Sequence, residues 1–201
     1  MEPFITVTAP TCALDMANID TDQLIPARFM KEPRSVGYGQ FLLYDLRFDD
    51  QGQPKTNYAL NDPKAQNVQI VLARRNFGAG SSREAAVYAL VDYGIRCVIA
   101  PSFGDIFSSN AINNGLLPAI VEEADCDRLF DQLNGSFQEA SVDLTAQTIS
   151  VDALRVSFDI RAVWKKKLLN GWDDIDLTMQ EKTEINRFQN AYFSRFNWLN
   201  R

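Results

Sequence analysis

VQIVLARRNFGAGSSREAAVYALVDYGIRCVIA, residues 68–100, decides the fold. VQIVLA (Val68 to Ala73) is a short, mostly apolar and β-branched run bounded by turn residues, the pattern of a strand buried on both faces. SREAAVYALVDYGI then reads as a helix with a serine N-cap, Glu84 in its first turn, apolar residues at helical spacing and Gly94 at its C-cap. RCVIAPSF follows as a second strand. Next, GDIFSSNAINNGLLPAIV reads as a helix closing at Gly115 and leading into a third apolar run. Strand, helix, strand, helix, strand predicts a parallel sheet with crossover helices, an α/β fold.

Upstream, residues 33–65 have a loop-like composition, with Gly37, Gly39, Gly52, Pro54 and Pro63 interrupting FLLYDL. An irregular stretch of this length tends to be functional or mobile. Downstream, DCDRLFDQL reads as a helix, SVDLTAQTISVDALRVSFDI as two or three antiparallel strands, and RAVWKKKLLNGWDDI as a helix ending at Gly171. DLTMQEKTEINRFQNAYFSRFNWLNR predicts a last helix whose Phe188, Tyr192, Phe193 and Trp198 serve docking or the core.

With 201 residues, 46% hydrophobic and 23% charged, the chain has enough apolar material for one domain core. Twenty basic residues against 26 acidic ones, with no basic cluster longer than Lys165–Lys167, argue against nucleic acid as a partner. The N-terminus lacks a basic and an apolar signal region, and no apolar stretch is long enough to span a membrane, so a cytoplasmic protein with no membrane partner is expected. Cys12, Cys97 and Cys126 form no CxxC pair and are expected to be reduced, Cys97 as a core strand residue. The chain contains no histidine, which excludes within it His-based nucleophile systems, His-ligated zinc and imidazole bases. Acid–base chemistry falls to Ser, Tyr, Lys, Asp, Glu or a partner.

NFGAGSSRE (Asn76 to Glu84) admits two readings. Gly78 and Gly80 allow close backbone approach, and Ser81, Ser82 and Arg83 at a helix start favour an anion, with the Arg83 fork matched to a carboxylate. Equally, the stretch is a serine cap on a well-packed turn. It is neither a P-loop nor a full GxGxxG motif. A second polar group, NIDTDQLIPARF (Asn18 to Phe29), is either a capping turn at Asp20, Thr21 and Asp22, or a contribution of Asp22 and Arg28 to a site.

Together, NIDTDQLIPARF, NFGAGSSRE, RCVIAPSFGDIF, NNGLLP and LLNGWDDIDLTM, in this order and covering nearly the whole chain, resemble the small subunits of bacterial 3-isopropylmalate dehydratase, in the aconitase superfamily. The resemblance implies a single swivelling β/β/α domain over residues 1–201, a mixed sheet with flanking helices, and a helical tail from about 176 to 201. It implies a hydro-lyase of leucine biosynthesis that interconverts 2- and 3-isopropylmalate, active only with a large subunit that carries a 4Fe–4S cluster. No cofactor is then expected in this chain, and its ligand is a small dicarboxylate. By the same resemblance Ser81 is the base, Arg83 clamps a substrate carboxylate with Arg28 as second clamp, Ser82 and the Gly80 backbone shape an anion hole, and Asp22 orients. The loop from Lys31 to Gln40 resembles the part that faces the substrate's side group. The chain departs from the family pattern at Arg75, Ala79, Ala85 and Val87–Tyr88, while Ser81, Ser82, Arg83 and Glu84 are retained. A paralogue acting on another alkylmalate or on citramalate, a non-catalytic subunit, and a stand-alone phosphate-binding enzyme stay open beside it.

Overall fold

Alternation along the expected strands divides their side chains between two cores. A computed structural model describes residues 1–135 and 137–199. Among these, the strands are β1 (Thr6–Leu14), β2 (Ile70–Ala73), β3 (Cys97–Ala100), β4 (Leu117–Ile120), β5 (Glu139–Asp143), β6 (Thr148–Val151) and β7 (Leu154–Ser157). They form one mixed sheet in the order β4-β3-β2-β1-β5-β6-β7. The β4-β3-β2-β1 half is parallel and the β1-β5-β6-β7 half antiparallel, as the crossover reading and the alternating segment require. Val71, Ala73, Val98 and Ala100 point into one core, while Ile70, Leu72, Cys97 and Ile99 point into the other, so both faces of the parallel strands are dry.

The first core is covered by α3 (Glu84–Tyr93), which buries Ala86, Val87, Ala89 and Leu90 and ends, as expected, at Gly94. The second is covered by α5 (Glu123–Leu133) through Cys126, Leu129 and Leu133, and by α6 (Ala162–Asn170) through Leu168. Between them in sequence lies α4 (Asp105–Asn113). Lys167 is 3% exposed, and its ammonium donates to Asn113 and, at 2.7 Å, to Asp174, tying α4 and α6 to the start of α7 (Asp174–Met179). A buried ammonium needs such partners.

Two expectations need correction, and one strand was not expected at all. The N-terminal segment contains β1, the central strand, which pairs with β5 over Thr6–Pro10 and with β2 over Thr11–Leu14. Pro10 obscured it, yet Pro10 lies at the changeover between partners, where its missing N–H breaks no continuous ladder. The stretch before β2 is not structureless: helical turns at Thr21–Leu24 (α1), Tyr38–Phe41, Tyr44–Arg47 (α2) and Ala59–Asn61 carry Leu42, Leu43 and Leu60 into the first core. Arg47 anchors this excursion by donating to Asn61 Oδ1 (3.0 Å) and to the Leu42 carbonyl (3.1 Å). Finally, the last helix is two, α7 and α8 (Lys182–Arg195), with Phe188, Tyr192 and Trp198 exposed rather than in a core.

The turn after β3 passes close to the turn after β2. A Cβ on Gly104 would lie 2.5 Å from the Gly78 carbonyl oxygen, a backbone atom that has no rotamer to yield. Gly104→Ala is therefore expected to destabilise the protein by about 1–3 kcal/mol, read from urea unfolding at fixed m-value.

Candidate functional site

The polypeptide beyond the C-terminal ends of the parallel strands continues their order in miniature. The Gly78 N–H donates to the Ile19 carbonyl (2.7 Å) and the Thr21 N–H to the Ala79 carbonyl (3.0 Å), with Asp20 and Ala79 bridged in parallel. On the other side Phe77 bridges Phe103, its N–H donating to the Ser102 carbonyl (3.0 Å). The segment 77–79 is thus held from both flanks at the end of the sheet where open α/β folds place ligands. Gly78 must be glycine twice over: its φ is +71°, and a Cβ would fall 2.2 Å from the Phe107 ring. Phe77, Phe103 and Phe107 pack as an aromatic wedge below the turn.

Beyond the wedge the chain emerges into solvent. Gly80, with φ +91°, and Ser81 and Ser82 are exposed, and among the described residues neither serine hydroxyl has a protein partner. The expected serine cap is not formed. Arg83 is the N-cap of α3, in extended conformation and without a side-chain cap bond, because its N–H donates to the Ser81 carbonyl (2.8 Å) in a tight turn and delays the helix to Glu84. Of the two readings of this stretch, the structural cap therefore fails and the free serine hydroxyls remain.

α1 explains how this turn is held. Asp20 caps it in a reciprocal box with Gln23, so the capping-turn reading of Asn18 to Phe29 holds there. The buried Thr21 hydroxyl donates to the Ser81 carbonyl (3.0 Å), and Asp22 accepts from Nη1 of Arg83. Asp22, Gly80, Ser81 and Arg83 are thus gathered by one strap, with Ser82 beside them. Arg28 is engaged elsewhere. Its two terminal nitrogens close on both oxygens of Asp45, and its guanidinium stacks over Phe29 at 4.6 Å, beside a cavity of about 460 Å³ lined also by Tyr44, Phe48 and Lys55.

The contrast between arginines is chemical. Arg28 and Arg34 have both arms of the fork bound, to Asp45 and Asp92 respectively. Arg83, with a side chain 21% exposed, is held by Nη1 alone, so Nη2 and Nε stay free for a second carboxylate. The sequence reading missed Thr21, Asp45 and Asp92 as partners. Thr21 sits inside a stretch that had been singled out, but the carboxylates lie 17 and 58 residues from their arginines, with no local signal. In the Lys31 to Gln40 loop, Arg34 is sandwiched between Tyr38 (5.3 Å) and Tyr88 (4.4 Å), and Asp92 also accepts from the Tyr38 N–H (2.6 Å). Glu84 accepts from Asn114 (2.9 Å) and from the Tyr88 hydroxyl, whose pKa burial and then Glu84 push upward.

An iron–sulfur cluster does not fit this chain. Cys12, Cys97 and Cys126 are each buried on a different element, burial holding Cys12 at about 12 and Cys126 at about 11, and among the described residues no three potential ligands converge. No described helix is long and apolar enough to cross a membrane.

Comparison with known proteins places these features in context. The aconitase C-terminal domain family matches residues 1–124. The 3-isopropylmalate dehydratase small subunit of Halalkalibacterium halodurans is 43% identical over 190 residues, covering 94% of this chain and 98% of the relative. That of Shouchella clausii is 42% identical over 189 residues, covering 94% and 96%. In fold, the chain is similar to the crystal structure of a 3-isopropylmalate dehydratase from Methanocaldococcus jannaschii, with a TM-score of 0.66 at 23% identity, covering 91% of this chain and 99% of that one.

The Arg28 side-chain bond holds the Asp45 carboxyl below the usual carboxylate range. A depressed folded-state pKa stabilises above the unfolded value of about 3.9, and that contribution disappears as pH falls through the folded pKa. Arg28→Met is expected to return Asp45 to the ordinary range in carboxyl ¹³C NMR titrations. Because Arg28 and Asp45 are 54% and 57% exposed, the stability lost at pH 7 should stay below about 1 kcal/mol and vanish in acid.

Proposed function

The chain belongs to the family of 3-isopropylmalate dehydratase small subunits, within the aconitase type of hydro-lyases, and we propose that the turn before α3 is its contribution to the active site. In this reading the small subunit works with a larger chain to move a hydroxyl between neighbouring carbons of 2- and 3-isopropylmalate by dehydration and rehydration, in leucine biosynthesis. The large subunit holds the 4Fe–4S cluster, which supplies Lewis-acid chemistry at the departing hydroxyl.

The observation that carries the proposal is the pairing of a free Ser81 hydroxyl with a half-open Arg83 fork at the start of a ten-residue helix. Elimination requires removal of a weakly acidic C–H proton beside a carboxylate. Ser81 Oγ, once ionised with its own proton released to solvent, takes that proton and returns it to the adjacent carbon when water adds back. A serine oxygen is a poor base unless its negative charge is stabilised, and the positive end of α3 and the Arg83 guanidinium both act in that sense. Nη2 and Nε of Arg83 hold the carboxylate on which charge accumulates, while Asp22 orients the fork through Nη1. Ser82 and the Gly80 backbone line the anion side. Arg28 becomes the second clamp once it exchanges Asp45 for a substrate carboxylate, an exchange between like partners on an exposed surface and hence of small cost. With no histidine in the chain, no imidazole competes with Ser81 for the role. The physiological setting is a soluble one, in the cytoplasm.

Ser81→Ala, assayed with the large subunit, should lower turnover by roughly 100-fold to 10,000-fold with unchanged thermal melting and subunit association. Ser82→Ala should be milder. Near-native turnover in Ser81→Ala would remove the serine from the chemistry.

Arg83→Lys keeps the charge and loses the fork, and should cost about 2–4 kcal/mol in kcat/KM without altering stability comparably. Unchanged kinetics would make Arg83 a solvated helix-cap residue.

A further inference from the structure

Thr21, at the start of α1, is 1% exposed and lies against the turn before α3. It holds that turn with two donors. Its N–H donates to the Ala79 carbonyl (3.0 Å) and its hydroxyl to the Ser81 carbonyl (3.0 Å). Local structure does not require the hydroxyl. The Ser81 carbonyl is already satisfied by the Arg83 N–H (2.8 Å), and α1 is capped by Asp20 and Gln23. A purely apolar side chain of the same shape would fill the space equally well, so the hydroxyl needs another reason.

Peptide geometry supplies one. In a trans peptide the carbonyl and the following N–H point in opposite directions, and no described peptide is cis. Tying the carbonyls of Ala79 and Ser81 to Thr21 therefore turns the N–H groups of Gly80 and Ser82 away from Thr21. Neither N–H has a hydrogen-bond partner among the described residues, and Gly80, Ser81 and Ser82 are all exposed. Backbone donors left open in this way are available to an anion.

We infer that Thr21 is a positioning residue of the reaction: by drawing two carbonyls inward it presents the N–H groups of Gly80 and Ser82 as a fixed donor pair for the carboxylate on which charge accumulates. The inference rests on the reading of Ser81 and Arg83 as the turn that carries the chemistry, and adds what keeps that turn preorganised. Donors fixed in advance favour the more highly charged transition state over bound substrate, so the effect belongs in kcat more than in KM. Ser82→Ala, which keeps its N–H, leaves the pair intact.

Thr21→Val tests this, because it preserves the size and branching of the side chain, the Thr21 N–H and the Arg83 bond to Ser81, and removes the hydroxyl alone. In the full chain without a large subunit, ¹⁵N relaxation should show the Ser82 amide falling from a rigid order parameter of about 0.85 toward about 0.6. The Gly80 amide, still set by the Thr21 N–H, should not change, and Thr21→Ser should restore Ser82. Reconstituted with the large subunit, Thr21→Val should lower kcat for isopropylmalate by roughly 10-fold to 100-fold with KM changed by less than about 3-fold, and Thr21→Ser should recover most of the loss. A rigid Ser82 amide in Thr21→Val, an equal loosening of Gly80, or a loss of kcat that merely follows the fraction unfolded would overturn the inference. Ser81→Ala separates it from the reading beneath it. If that variant keeps near-native turnover the serine reading fails, whereas if it is inactive and Thr21→Val is fully active, only the role of Thr21 falls.

Discussion

The donation from the Gly78 N–H to the Ile19 carbonyl is the contact on which the site depends. It joins two segments nearly sixty residues apart, and everything chemically interesting hangs from that seam. Once Ile19–Thr21 lies beside Gly78–Ser81, the Thr21 hydroxyl reaches the Ser81 carbonyl, Asp22 reaches Arg83, and the turn is held open so that α3 starts only at Glu84. The seam is possible because Gly78 lets the Phe107 ring come up against the backbone from below. A larger residue would lift the turn off its aromatic support.

What was legible in the sequence was what short-range physics writes there. The dry strands announced themselves as β-branched runs, and Gly94 and Gly171 ended their helices in left-handed conformation, as expected. Ser81 and Arg83 stood out because a glycine-rich turn leading into a helix is a local pattern. β1 was invisible because Pro10 breaks the strand pattern and its two partners lie far along the chain. The serine cap was misread for a related reason: Ser81 and Ser82 satisfy local capping preference, but a bond from residue 21 settles the turn differently. The carboxylates that close on Arg28 and Arg34 belong to α2 and α3, and only the tertiary fold brings them there.

Electrostatics distinguish arginines that the sequence makes look equivalent. Arg34 is sandwiched between two aromatic rings with both fork arms on Asp92, which fixes the Lys31 to Gln40 loop against α3. Arg74, over the Phe130 ring at 3.9 Å, joins Asp15 to Asp127 and closes the far end of β2. Such saturated forks act as fasteners. An unsaturated one beside a free hydroxyl is a different object, since its unused donors have no structural reason to point outward.

The change of partner at Pro10 also dictates the order in which the molecule can be built. The β2–α3–β3–α4–β4 unit closes through neighbours, and so does the β5–β6–β7 meander. β1, which precedes the other described strands, has its register set at one end by residue 70 and at the other by residue 143. Its Thr6–Pro10 half therefore has no partner until β5 is made, and it joins the two halves by contacts of high sequence separation, the slow kind in folding. The central strand is thus completed from two directions, at two different points along the chain.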